Sequence, residues 1–196
     1  MKMIIYFTCW MMMVFKEVFF ISAVDVLLTR RSIRKFKDEP IKEDDLNTIL
    51  KIGTYAPSGR NYQTSKIVVI QDRDFIDELS VWNKSFYTKE VPDSLDAFYK
   101  APCLLIVLGD SREPNYVLDG CAVLTNLVNG AHAVGVGSCW INRAREEFET
   151  PKGKELLKDW GIPEYYEGVG HVILGYADCP NPKPAPRKKD YIHFVE

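Results

Sequence analysis

Hydrophobic residues along this chain fall into short runs of two different phases, and the phase predicts which segments are helices and which are strands. From Glu43 to Ile52, Leu46, Ile49 and Leu50 return at helical spacing behind an acidic first turn, with Gly53 placed to close the helix. Lys66–Gln71 instead holds the unbroken run Ile67-Val68-Val69-Ile70, which reads as a buried-type strand. Asp74 is placed to cap a helix reaching Val81, with Phe75, Ile76 and Leu79 facing inward. Cys103–Leu108 is a second apolar strand, closed by Gly109-Asp110. Tyr116–Val134 is the longest helix candidate; it is apolar around much of its circumference, as buried or interface helices are. Shorter strands are predicted at Ser138–Ile141 and His171–Gly175, and a helix opens at Thr150-Pro151 and closes at Gly161. Val24–Thr29 is a short helix running into a cluster of arginines. Trp82–Lys100, polar, aromatic and marked by proline, is predicted as a mobile cover. Asn181–Pro186 is extended by its prolines, and Tyr191–Val195 has strand propensity. Strands and helices mixed without a strict βαβ rhythm place the chain in the α+β class.

Composition narrows the function. At 196 residues, with 46% hydrophobic and 27% charged residues, the chain reads as one ordinary globular domain. A net charge of −2 argues against a general nucleic-acid binder, so the arginine cluster is a local device. The five cysteines are widely spaced without a C-x-x-C, which fits reduced thiols in a cytoplasm, and the three histidines show no metal-ligand spacing. No metal is expected. All five methionines lie within the first 13 residues, and the apolar run Ile4–Phe15 is interrupted by Lys16-Glu17. Three readings fit: an extension packed on the body, a membrane-facing or signal segment, or an upstream start that overruns the true one. A dispensable extension over 1–23, ahead of a domain over 24–196, is favoured, and a membrane role is disfavoured because neither apolar stretch reaches the roughly 20 residues a span needs.

Two segments carry the chemistry. Arg30-Arg31-Ser32-Ile33-Arg34-Lys35-Phe36 is expected to pack guanidinium groups and a hydroxyl into one turn, a donor set suited to a phosphate dianion. The same cluster also fits a solvated helix end that complements the macrodipole. Ala56-Pro57-Ser58-Gly59-Arg60-Asn61-Tyr62-Gln63 reads either as a plain turn or as a loop whose backbone and short side chains lie against a planar polar ring. Together they imply a phosphorylated heterocycle. Neither G-x-G-x-x-G after a strand nor G-x-x-x-x-G-K-[ST] occurs, so a Rossmann or P-loop site is unsupported.

With Gly135-Val136-Gly137-Ser138-Cys139-Trp140 and the later Gly175-Tyr176 and Pro186-Arg187, these segments resemble, in order, the motifs of the FMN-dependent nitroreductase family, from about Val24 onward. The resemblance implies a mixed, mainly antiparallel central sheet flanked by helices, with a C-terminal extension onto the partner of a homodimer. It implies FMN held by Arg30, Arg31, Ser32 and Arg34 at the phosphate and ribityl chain. Pro57, Ser58, Gly59, Asn61 and Gln63 would come from the partner subunit. Backbone at Gly137, Ser138 and Cys139 would lie along the isoalloxazine, and Arg187 would return to the phosphate. Ala185 stands where that motif commonly has a lysine, leaving Lys183 or Lys188 as substitutes. The implied activity is ping-pong hydride transfer from NAD(P)H through flavin N5 to nitroaromatics, quinones or similar small electron-poor acceptors, with no protein acid or base required. A dehalogenase, an ene-type reductase, a flavin-fragmenting enzyme or a non-catalytic flavin-binding regulator would share the same motifs.

Overall fold

The computed structural model describes residues 22–195, so the sequence reading of residues 1–23 falls almost wholly outside the described residues. Its centre is a pair of largely apolar strands, in which His171 is the buried polar exception. Strand β2 (Cys103–Asp110) is buried from Cys103 through Gly109 and pairs antiparallel with β4 (Tyr166–Gly175). The edges are β1 (Ser65–Ile70) and β3 (Gly137–Ile141), giving the antiparallel order β1-β2-β4-β3. Six helices surround it: α1 (Ala23–Thr29), α2 (Glu43–Thr54), α3 (Arg73–Ser85), α4 (Tyr116–Ala133), α5 (Ala144–Phe148) and α6 (Pro151–Asp159). This is the α+β architecture expected, a mainly antiparallel sheet flanked by helices.

The period of two along each strand divides the core. Leu105, Val107, Val172 and Leu174 face Ile49 of α2 and Leu124, Leu127 and Val128 of α4. Leu104, Ile106, Leu108, Cys139 and Ile173 face the other way, toward Ile76 and Leu79 of α3, Phe148 of α5 and Leu157 of α6. Burying each such side chain contributes about 1.5–3 kcal/mol. A continuous apolar run is what a strand covered on both faces requires.

Several local expectations change. β1 is an edge strand, buried fully only at Ile70, because its apolar run is covered by helices less completely than β2 is. Gly53 does not close α2; it lies inside the helix, buried, and the helix runs one residue further. Asp72, not Asp74, caps α3, accepting from the Phe75 N–H at 2.8 Å. Trp82–Ser85 belong to that helix, and Ala97 and Phe98 are core residues, so the predicted cover is anchored from below. Tyr191–Val195 forms no strand, since no partner strand lies beside it among the described residues, and its side chains are exposed. Thr150 caps α6 by accepting from the Gly153 N–H at 3.1 Å, and Gly161 follows the helix in the left-handed region at φ +66°, as predicted. No described helix is long and apolar enough to cross a membrane.

Candidate functional site

At the end of α1, Arg30 leaves helical geometry (φ −56°, ψ 132°) and the chain runs extended along the outer edge of β3. Ser32 forms a parallel bridge with Ser138, and the Ile33 N–H donates to the Ser138 carbonyl at 2.9 Å. Further on, the Lys37 N–H donates to the Tyr176 carbonyl at 2.9 Å and the Asp178 N–H to the Lys35 carbonyl at 3.0 Å. Ile33 is 6% exposed and anchors the strip inward, so the alternation of extended chain turns Ser32 and Arg34 the other way. Gly137 permits this close approach: a Cβ there would stand 2.9 Å from the Gly175 carbonyl oxygen and 3.2 Å from the Ile33 Cβ.

The strip and the later segment meet at one cavity. Arg30, Arg31 and Ser32 line it together with Leu28, Ala185 and Arg187. No carboxylate lines it, and Ala185 stands there where neither Lys183 nor Lys188 does. Arg31 is divided between roles: its Nη1 donates to the Leu28 and Arg30 carbonyls at 2.9 and 2.6 Å, closing the end of α1, while its buried Nε has no partner among the described residues. An orphaned buried guanidinium N–H beside two further arginines suits a multivalent oxyanion. Next to it, the Thr29 hydroxyl donates to the Asp25 carbonyl, which leaves His132 Nε2 as donor in the 2.8 Å bond to that hydroxyl. Burial, reinforced by the charges of Arg30 and Arg31, holds His132 below its ordinary pKa.

Side chains of the β3 motif turn away from the strip. Ser138 donates its hydroxyl to the Val128 carbonyl of α4 at 3.4 Å, and Cys139, 1% exposed, lies in the core on the α3 side. Only their backbone faces the arginines. Cys103 is also inert: burial pushes its thiol up to about 12.

The 57–63 loop is built differently. It holds Arg60, Asn61 and Gln63 at φ +52°, +58° and +51°, each a conformation that L side chains adopt at a cost. Asp119, buried in α4, offsets that cost by accepting from the Gly59 N–H at 2.9 Å with Oδ1 and from the Thr64 hydroxyl at 2.9 Å with Oδ2. The Gln63 N–H donates to Ser58 Oγ at 3.0 Å, and the Gln63 amide to Asn61 Oδ1 at 3.3 Å. Gly59 passes close to the start of α4, where a Cβ would stand 2.7 Å from Asn115 Nδ2 and would displace that side chain's tip. Pro57, Ser58 and Gln63 line an apolar cavity of about 350 Å³ with Leu50, Ile67 and Val123, while Asn61 stays exposed. The loop and the arginine strip therefore line separate cavities of the one chain. Sequence reasoning passed over Asp119, although it is the single carboxylate in an otherwise apolar helix, and a buried lone carboxylate demands donors.

Arg34 opens onto a third cavity, of about 410 Å³, beyond the end of β3. Its guanidinium lies 5.9 Å from the centre of the Tyr99 ring. Tyr87, Lys89, Ile141, Asn142 and Arg143 complete much of the wall. Burial raises the Tyr87 hydroxyl above its ordinary pKa, so it is a neutral donor near pH 7. Tyr99 and Arg143 hold φ of +55° and +85°. Beneath this wall, Asn83 donates to the Asn142 carbonyl at 2.9 Å and to Glu147 at 2.7 Å, and Glu147 meets His171 at 2.9 Å in the core.

Comparison with known proteins gives this arrangement a lineage. The sequence model described as "Nitroreductase family" matches residues 27–176. A chain of Archaeoglobus fulgidus named "Putative NADH dehydrogenase/NAD(P)H nitroreductase" is 31% identical over 161 residues, 79% of this chain and 85% of that one. The "NADPH-flavin oxidoreductase" of Vibrio harveyi is 27% identical over 173 residues, 85% of this chain and 70% of that one. The crystal structure of a nitroreductase with bound FMN from Bacteroides fragilis NCTC 9343 is similar at a TM-score of 0.80 and 28% identity, covering 90% of this chain and 100% of that one. The matched span takes in the arginine strip, the Asp119-clamped loop and all four strands, and the chain belongs to the Nitroreductase family.

Proposed function

We propose that the protein is an FMN-dependent NAD(P)H oxidoreductase that reduces small electron-poor acceptors, acting as a homodimer. The observation that carries this reading is the Ser32–Ser138 bridge. It sets Arg30 and Ser32 along β3 with Arg187 across the same cavity, so a phosphate dianion has a cationic seat and the chain leading from it has a hydroxyl-bearing edge. Arg34 lies two residues further along extended chain, about 7 Å on, and in the next cavity, so it serves the ring end of the nucleotide rather than its phosphate. This reassigns Arg34 from the phosphate role the resemblance implied. Bound FMN would supply the redox chemistry, a two-electron transfer by which hydride from NAD(P)H, with a proton, would convert a nitro group to nitroso and water, or a quinone to its hydroquinone.

The chain's own residues bind, orient and exclude water. The buried Cys139 thiol has no part in the chemistry, and Asn61, held at positive φ on an exposed loop, presents both an amide donor and a carbonyl acceptor to a second copy. Separation of the loop from the strip within one chain supports a composite site. So does the exposed apolar surface of α4, where Leu118 is 69% exposed, and that of Tyr191, Ile192 and Phe194, which are exposed among the described residues.

Purified protein should be yellow, carry about one FMN per chain, bleach with NADH or NADPH, and recover its colour with a nitroaromatic or a quinone. FAD in place of FMN, or no flavin uptake after reconstitution, would overturn the cofactor assignment. Flavin that binds but does not turn over would leave a flavin-binding regulator.

A further inference from the structure

We infer that the cavity beyond β3 selects an anionic, planar acceptor, such as an aromatic carboxylate or phenolate, through the paired cations Lys89 and Arg143. The inference rests on the oxidoreductase reading above and names the class of molecule that reading left open. Among the described residues, three cationic side chains, Arg34, Lys89 and Arg143, line this cavity, and no carboxylate does. The whole chain carries a net charge of −2, so the enrichment is local. Arg34 and Lys89 form no ion pair among the described residues. Arg143 has one, to Glu146 at 2.6 Å, which fixes its direction and takes part of its charge. With Arg34 committed to the ring end of the cofactor, Lys89 and the Glu146-oriented Arg143 are the two cations left to read the acceptor.

The remaining wall suits a flat ring. Tyr87 and Tyr99 present aromatic surface with hydroxyl tips, Val91 and Ile141 present aliphatic surface, and about 410 Å³ accommodates a substituted benzene. Arg143 itself is informative because it sits at φ +85°, where glycine or asparagine would be accommodated at less cost. A strained backbone that carries a long cation at the mouth of a cavity is the kind of local cost found at functional positions. Tyr99, across the cavity, is held at φ +55° as well. Lys89 belongs to the Trp82–Lys100 segment, in which the sequence shows no decodable pattern. The fold supplies one by hanging that segment from the core through Phe98 and Ala97.

The test uses the FMN holoprotein and two acceptors of one shape, 4-nitrobenzoate and 4-nitrobenzamide, with benzoate and benzamide as unreactive binding probes followed by calorimetry. The wild-type protein should favour the nitrobenzoate by about tenfold in kcat/KM, the scale of one charge-assisted hydrogen bond. Lys89→Gln and Arg143→Asn, the latter chosen because asparagine tolerates the left-handed region, should each cut that preference by at least about threefold and weaken benzoate binding in step. Turnover of the neutral nitrobenzamide should change less than about twofold. Equal use of the two acceptors by the wild type, or a preference unchanged in both variants, overturns the inference. So does a change confined to the KM for NADPH relative to NADH, which would assign the cations to the extra phosphate of that nucleotide. A holoprotein that oxidises no NAD(P)H with any acceptor defeats the oxidoreductase reading instead, and benzoate-over-benzamide binding then still decides the charge selection by itself.

Discussion

Residues 32–37 are held beside the sheet by main-chain hydrogen bonds, Ile33 to Ser138 and Lys37 to Tyr176, whereas residues 58–63, with three positive-φ positions and a few bonds among themselves, are hydrogen-bonded to the rest of the described fold through one side chain, Asp119, at Gly59, with Thr64 beside it. The strip inherits its geometry from the strand it follows, and almost any side chains could occupy its outward positions without moving it. The loop inherits nothing. Its shape is imposed by a buried carboxylate from a distant helix, so its function and its stability draw on the same atom. A surface built in the first way tolerates variation in what it binds; one built in the second way fixes its partner.

The sharpest way to break that contrast is Asp119→Ala. It strips the Gly59 N–H and the Thr64 hydroxyl of their acceptor and should cost roughly 2–4 kcal/mol in thermal or denaturant unfolding. Flavin content should fall with it, while Asp119→Asn, which keeps an oxygen for one of the two donors, should recover part of both. If the melting temperature and flavin content of the alanine variant match those of the wild type, the clamp is not what shapes the loop.

Arg30→Ala tests the other half. Apo-protein titrated with FMN should lose roughly 1.5–3 kcal/mol of affinity while unfolding moves by less than about 0.5 kcal/mol, since the strip is held by its backbone. Arg30→Lys should restore some of the affinity, because charge persists and the fork is lost. A large stability change without an affinity change would mean that Arg30 serves the fold.

Cys139→Ala is expected to lower stability by about 1 kcal/mol, the cost of a small core cavity, and to leave turnover within about tenfold of wild type. Loss of activity with flavin still bound would instead point to a thiol mechanism at Cys139.

The smallest effect is electrostatic. His132 titrates below its ordinary value of 6.5, through burial first and the charges of Arg30 and Arg31 second. As pH falls below 6.5 the unfolded chain takes up this proton before the folded one does. Stability therefore drops toward the folded value and rises again with pH across that window. His132→Gln should flatten this part of a plot of melting temperature against pH. Saturating inorganic phosphate, by neutralising the two arginines, should narrow the window in the wild type and leave the variant unmoved.

Much of this was legible before any coordinates. β2 and the α4 helix announce themselves by apolar runs of the right length, and Thr150-Pro151 with Gly161 brackets α6 because capping chemistry is local. The arginine strip could be read for the same reason, since its donors are adjacent in sequence. What stayed hidden depends on distant partners. α5 spans five residues, too short for a 3.6-residue period to show, and Phe98 enters the core from a segment whose neighbours are polar. The choice of Asp72 over Asp74 as cap turns on one residue of register. Asp119 was visible as an oddity but not as a clamp, because the sequence does not say that Gly59 and Thr64 lie over it. Arg34 reads as one of three equivalent arginines until the strip is laid against β3 and the third is seen to enter another cavity.

One wall of the Arg30 cavity comes from the stretch that carries Ala185 and Arg187, which makes no backbone–backbone hydrogen bond among the described residues between Asn181 and Arg187 and is pinned by the Asn181 amide on the Thr29 carbonyl at 2.9 Å. Such a stretch opens at little free-energy cost and is the natural place for a protease to cut. Whatever occupies the cavity must engage Arg187 and so hold the stretch closed. Trypsin nicking at Arg187 becomes a clock for vacancy: its rate should fall in proportion to the fraction of sites filled, reporting occupancy in crude extracts where colour and turnover are both obscured.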